Sequence, residues 1–292
     1  MLEIGSVLNE KYKILKDIGR GGICNVYLAL DEKTKKQRAV KEICKKEICN
    51  VKQVMNGINE ETNFLRKLDH PNLPKIIDVI DTDESFIIIM EYIEGVTLDS
   101  IINEYGAQSV EEVVEWGKQI CDALKYLHSF NPPVLYIDLK PSNVMLKPDG
   151  NIALVNHGLF REYQKKDVTD TLIFGTRGYA PPEAYFGKYD LRSDIYVLGA
   201  TLYHLVTGHS PAEPPYEIYP IRHWNPQLSA VLEAIIKKCT QLNPNDRYQS
   251  CDELLFSLEH YNCTKPVLPP NSFKMKILRF FQSISSILFY RR

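Results

Sequence analysis

The chain has 292 residues, 44% of them hydrophobic and 25% charged, and a formal net charge of −2 at pH 7. That balance excludes a disordered or collagen-like chain and gives no sign of nucleic-acid binding, while the length suits one large domain or two lobes. The charge is uneven: Thr264 to Arg292 holds six basic residues and no acid, so that segment carries +6 and the remainder −8.

In chain order, Tyr12–Ile18 alternates as a strand and runs into Gly19, Gly21 and Gly22. Val26–Leu30 reads as a second short strand and Arg38–Ile43 as a third. Residues 51–68 are polar with recurring Val54, Ile58, Phe64, Leu65 and Leu68, which predicts a helix. It stops before His70-Pro71-Asn72, because proline cannot continue it. Residues 75–80 and 86–92 form a strand pair around Asp81–Glu84. From Glu111 to Phe130, Val113, Val114, Trp116, Ile120, Ala123, Leu124 and Leu127 recur at helical spacing. Residues 191–207 and 228–240 repeat this pattern, and 251–260 does so more briefly. A β-rich first third and a helical remainder predict an α+β chain of two lobes, 1–94 and 95–263, divided near Glu91–Gly95. Pro266, Pro269 and Pro270 read as a linker into a tail, 264–292.

The seven cysteines include no C-x-x-C pair, and their number is odd. This argues against a disulfide framework or zinc site and for reduced thiols in a cytoplasmic protein. Residues 1–16 lack the apolar core that a signal peptide needs. The longest apolar run, Phe86–Met90, is far short of the about 20 residues that span a bilayer.

Three clusters carry chemistry. Glycines 19, 21 and 22, followed by Val26, stand between two strands, where backbone N–H groups can approach phosphates closely. Alone, this loop equally fits an ordinary hairpin turn. Lys41 lies in the strand Ala39-Val40-Lys41, and a lysine among apolar residues needs a partner; Glu61 on the following helix is the candidate. Asp138-x-Lys140-x-x-Asn143 packs a carboxylate, an ammonium and an amide beside the apolar Val144-Met145-Leu146. That set suits accepting a hydroxyl proton, neutralising phosphate charge and holding a metal.

Together these motifs make the chain resemble a Hanks-type (eukaryotic-like) Ser/Thr protein kinase of the bacterial branch, over roughly residues 12–260. The resemblance implies a bilobal kinase fold, ATP with Mg²⁺ or Mn²⁺ as cofactors, and a protein as substrate or partner. It implies that Gly19, Gly21, Gly22 and Val26 cover the nucleotide phosphates, although Cys24 stands where a third glycine is usual. Lys41 would hold the α- and β-phosphates with Glu61 as its partner. Met90 would be the gatekeeper, Glu91 to Ile93 the hinge to adenine, and Ala39 and Met145 the faces of the base sandwich. Asp138 would be the catalytic base, Lys140 the γ-phosphate contact and Asn143 a metal ligand. The Asp-x-Lys form resembles Ser/Thr rather than Tyr kinases. Gly175-Thr176 and Pro181-Pro182-Glu183 match the end of an activation segment and disfavour a small-molecule kinase. Glu183 would pair with Arg247, and Asp194 and Gly199 match the helix that braces the catalytic loop.

Two positions depart from the family pattern. The metal-binding Asp-Phe-Gly is Asn156-His157-Gly158 here, which removes a carboxylate that a hard cation prefers. The expected consequence is a weakened metal site, Asn143 with Asn156, and low or metal-dependent turnover, or a pseudokinase that binds nucleotide and signals by conformation. The second departure is Tyr136-Ile137 before Asp138, where the family has His-Arg. Without that arginine, phosphorylation of Thr169 or Thr171 loses its usual cationic partner, so weaker control is expected.

In the tail, Phe273, Ile277, Phe280, Phe281, Ile284, Ile287 and Leu288 recur at helical spacing opposite Lys274, Arg279 and several serines. A basic amphipathic helix over 273–292 suits an anionic membrane surface or a partner, and equally a last helix packed on the second lobe.

Overall fold

A computed structural model describes residues 1–21, 24–47, 62, 66–155, 161–162 and 175–261. The chain divides into two compact units, Met1–Ile93 and Glu94–Arg292.

The first unit is a six-stranded antiparallel sheet. Its strands are β1 (Val7–Leu8), β2 (Tyr12–Gly21), β3 (Cys24–Asp31), β4 (Lys36–Cys44), β5 (Ile76–Asp81) and β6 (Ser85–Glu91). Their order is β1-β2-β3-β4-β6-β5. Side chains alternate along each strand, so the sheet has two different faces. Tyr12, Ile14, Tyr27, Ala29, Val40, Ile87 and Ile89 form one buried cluster. Ile43, Phe86 and Ile88 form the other, with Cys24 and Met90 packed against it. The β2–β3 pairing carries register shifts at Ile14/Lys16 and Asp17/Gly19, irregularities that add twist. Glu42 ties the sheet together on the Val40 face: although it is 2% exposed, it accepts from the Leu2 N–H, the Tyr27 hydroxyl and the Ser85 hydroxyl at 3.1, 3.2 and 2.9 Å.

The helices of the second unit are α1 (Leu98–Tyr105), α2 (Val110–His128), α3 (Leu191–Thr207), α4 (Ile221–Trp224), α5 (Ala230–Cys239) and α6 (Cys251–Glu259). Their starts follow the capping rule that a short polar side chain takes the first free N–H groups. Ser109, Asp190, Ser229 and Ser250 cap α2, α3, α5 and α6. Helix α3 is buried at every position from Ser193 to Thr207. Gly199 permits this on one side, since a Cβ there would lie 2.4 Å from Cys239 Cβ of α5. Short strands β7 (Val96–Thr97), β8 (Val134–Leu135), β9 (Val144–Leu146), β10 (Ile152–Leu154) and β11 (Arg161–Glu162) form two small sheets, β10-β9-β7 and β11-β8. Among the described residues no helix is long and apolar enough to cross a membrane.

The helix expected over 51–68 falls largely outside the described residues, as do the tail and the segment 163–174.

Candidate active site

In the first unit, strand register assembles the expected nucleotide residues. Val26 and Ile88 flank Lys41 on the neighbouring strands. Ala39 lies opposite Met90, and Gly19 opposite Val26. Directly paired residues share a face, so Val26, Ala39, Lys41 and Met90 stand on one side of the sheet. Gly21 pairs with Cys24 as β2 turns into β3. Lys41 is 7% exposed. Glu91 ends β6 opposite Arg38, its N–H donating to the Lys75 carbonyl at 2.9 Å, and Ile93 is the last residue of the unit. Gly22 and Glu61 lie outside the described residues.

In the second unit, β8 delivers the chain into Tyr136–Asn143 and β9 takes it away, so the loop is pinned at both ends. Its entry is a three-residue turn in which the Asp138 N–H donates to the Tyr136 carbonyl at 2.8 Å. The central residue, Ile137, has φ +66°. A β-branched side chain in that region costs roughly 1–3 kcal/mol, which neighbouring structure must offset. Asp194, in the first turn of α3, provides the restraint. Its carboxylate accepts from the Tyr136 and Ile137 N–H groups at 2.9 and 2.8 Å.

The same carboxylate meets His128 Nε2, from the last turn of α2, at 2.9 Å. Burial, the largest single influence, lowers the His128 pKa, but the hydrogen bonds and charges of Asp194 and Cys251 together outweigh it and push the group up to about 10. At neutral pH the pair is a buried imidazolium and carboxylate, 8% and 1% exposed. The Tyr136 hydroxyl donates to the Val155 carbonyl at 2.6 Å, tying the loop to the residue before Asn156.

Asp138 is the centre of the constellation. Its Oδ1 accepts from the Thr176 hydroxyl at 2.7 Å, and its Oδ2 from Asn143 Nδ2 at 3.0 Å. The Lys140 ammonium is 3.3 Å from Oδ2 and donates to Thr176 Oγ1 at 2.6 Å. Asn143 also donates to the Asp138 carbonyl at 2.7 Å. Met145, the middle of β9, faces Ala153 of β10 and Thr97 of β7.

Thr176 is placed by glycines. Gly175 has φ +110° and Gly178 φ +88°, and a Cβ on Gly178 would lie 2.1 Å from the Pro211 carbonyl oxygen. Only glycine accepts that combination. Beyond it, Glu183 and Arg247 form a two-pronged ion pair at 2.6 and 2.8 Å.

The structure therefore brings Asp138, Lys140 and Asn143 together, with Asp194 bracing them and Glu183 on Arg247. Asn156 lies outside the described residues, as do Thr169 and Thr171. The sequence reading missed His128 and the Tyr136 hydroxyl and did not assign Thr176 to the site. A histidine ending a long helix gives no local sign of its partner. Thr176 was visible in Gly175-Thr176, but its bridge between Asp138 and Lys140 needs the folded chain.

A family model described as "Protein kinase domain" matches residues 12–258. The chain belongs to the protein kinase family. Among this kinase's relatives, the serine/threonine-protein kinase PrkC of Bacillus subtilis is 31% identical over 264 residues, 86% of this chain and 40% of PrkC. The serine/threonine-protein kinase PknB of Mycobacterium tuberculosis is 29% identical over 287 residues, 91% of this chain and 45% of PknB. The chain thus spans about two-fifths of the length of these curated relatives. A crystal structure of Rad53 1-466 in complex with AMP-PNP superposes with TM-score 0.70 and 25% identity, covering 84% of this chain and 64% of that one. Members of the family use ATP with Mg²⁺ or Mn²⁺.

The donors present fit such a cation in a limited way. Among the described residues no cluster of three or more His, Cys, Asp or Glu could hold a metal ion by itself. Asn143 commits its amide nitrogen to Asp138, and an amide oxygen is a hard donor. Of the expected pair only Asn143 is among the described residues, and its single amide oxygen can share the coordination of Mg²⁺, which keeps several waters and takes phosphate oxygens rather than filling a cage of side chains.

Proposed function

We propose that the chain is an ATP-dependent Ser/Thr protein kinase with a weakened metal site. The observation that carries this reading is Asp138, a carboxylate held by Thr176, Asn143 and Lys140 on a loop locked by Asp194. Asp138 orients a Ser or Thr hydroxyl of a protein substrate and takes its proton. The hydroxyl oxygen bonds to the γ-phosphorus as the bond to the β–γ bridging oxygen breaks, and ADP leaves with that electron pair. Lys140 neutralises charge on the transferring group, and Thr176 holds acid and ammonium in register. Gly19, Gly21, Gly22 and Val26 cover the phosphates, Lys41 with Glu61 holds the α- and β-phosphates, and Ala39, Met90, Glu91, Ile93 and Met145 receive the base. Asn143 and Asn156 would hold Mg²⁺ or Mn²⁺, which supplies charge neutralisation between the phosphates. An amide at 156 contributes an oxygen without charge, so this metal is held more weakly than by the family's aspartate.

The test is transfer of labelled γ-phosphate to the chain itself and to a generic basic protein, with Mg²⁺ and with Mn²⁺. Label in the parent that falls by about 10²–10⁴-fold in Asp138→Asn supports the reading, since a positioned base contributes on that order. Asn156→Asp should raise transfer and lower the metal concentration needed. A second reading, a nucleotide-responsive binding module, is favoured by Asn156 alone. Silence in both the parent and the revertant, with nucleotide still bound, would establish it.

The tail, 273–292, would hold the kinase at an anionic membrane surface through its basic amphipathic pattern. Liposomes containing phosphatidylserine should sediment the full chain and not one ending at Cys263; equal sedimentation would refute the contact.

A further inference from the structure

The bracing of the catalytic loop does not end at Asp194. His128 Nδ1 lies 3.5 Å from the sulfur of Cys251, the first residue of α6. An imidazolium carries a proton on both nitrogens, and each needs an acceptor when buried. Asp194 takes the Nε2 proton, and the Cys251 sulfur is placed to take the other. The backbone that carries that sulfur is fixed by α2 and by the cap of α6. Cys121 of α2 donates its thiol to the Cys251 carbonyl at 3.1 Å. Lys125 of α2 pairs with Asp252 of α6 at 2.5 Å. Ser250 caps α6, its hydroxyl accepting from the Glu253 N–H at 3.2 Å.

We propose that Cys251 is a positioning residue of this kinase, fixing His128 so that Asp194 holds the Tyr136–Asp138 turn in its strained form. The inference rests on Asp138 acting as the base. The order Cys251–His128–Asp194 also resembles a nucleophile with its base and orienting acid, but this thiol is 3% exposed. Its hydrogen bond with Cys121, then burial, holds its pKa well above the usual thiol range. A buried neutral thiol is inert, which leaves the supporting role. The groups facing His128 are Asp194 from α3 and Cys251 from α6, with Cys121 behind the latter.

The test compares the full chain with Cys251→Ala, which removes the acceptor, and Cys251→Ser, which restores a smaller one. Three quantities are read: His128 titration by NMR, exchange of the Tyr136 and Ile137 amides, and phosphate transfer. In Cys251→Ala the His128 pKa should fall, and those two amides should exchange about tenfold faster while amides within α3 keep their rates. Transfer should lose kcat with little change in KM for ATP. Cys251→Ser should return each toward the parent. Parent-like titration and exchange in Cys251→Ala would overturn the proposal, as would loss in Cys251→Ser equal to that in Cys251→Ala. Should the alanine chain fail to fold, the serine chain decides: a parent-like His128 titration supports the role and an unmoored one refutes it. Titration and exchange need no turnover, so an inactive parent would refute the kinase reading without touching this result.

Discussion

Arg247→Ala should destabilise the second unit by about 3–5 kcal/mol, the usual consequence of stripping one partner from a buried ion pair. Arg247 is 2% exposed. Besides the two bonds to Glu183, it donates to the carbonyls of Gln241, Arg192 and Leu242 at 2.8, 3.1 and 3.1 Å. Its guanidinium also lies 4.9 Å from the Tyr196 ring centroid. Alanine would strip Glu183 of both guanidinium bonds, leaving it only the Ser193 hydroxyl at 2.8 Å, and would take a donor from three carbonyls. Glu183→Gln keeps the shape and one acceptor, so it should cost less. Urea unfolding of both variants checks this. A loss under about 1 kcal/mol for Arg247→Ala would mean that the pair behaves as a surface ion pair.

Raising the pH should weaken the fold through His128. Its folded pKa, about 10, lies above the ordinary 6.5. A group raised in this way contributes its full stability below the unfolded value and loses it as pH climbs through the folded one. Stability should therefore decline progressively between roughly pH 6.5 and 10, by on the order of 5 kcal/mol for the whole displacement. Lysines and tyrosines titrate near the upper end, so the comparison that isolates His128 is Asp194→Asn. An uncharged amide cannot hold the imidazolium, and the decline above neutrality should flatten while stability at neutral pH drops by several kcal/mol. The urea midpoint as a function of pH measures both. An unchanged slope in Asp194→Asn would show that His128 is not the titrating group.

Much of the frame was legible in the sequence because the signals were local. Strand alternation around Lys41 and helical spacing over 191–207 need only a short window, and the helix Leu191–Thr207 begins and ends where its Asp190 cap and Gly208 place it. The grouping of Asp138, Lys140 and Asn143 was legible for the same reason, since six residues contain it. The bracing was legible only through the family resemblance, which marked Asp194 but not His128 or Cys251. Asp194 reaches the Tyr136 and Ile137 N–H groups 58 and 57 residues away in sequence, and Cys251 meets His128 across 123. No periodicity encodes such pairs. The positive φ of Ile137 is illegible for a stronger reason: isoleucine is among the residues least suited to that backbone, so propensity points the other way, and only Asp194 explains why the chain turns there.

Helix α3 has a consequence for how the second unit comes apart. It packs against both α2 and α5, and every residue from Ser193 to Thr207 is buried. A segment with no wet side cannot fray alone, because each turn that opened would strand apolar side chains against its neighbours. Its amides should belong to the last set to exchange, visible only when the whole unit unfolds. Asp194 lies in the first turn of that helix, so the brace on Asp138 is anchored in the buried core of the second unit. The loop that does the chemistry then inherits its rigidity from the core itself.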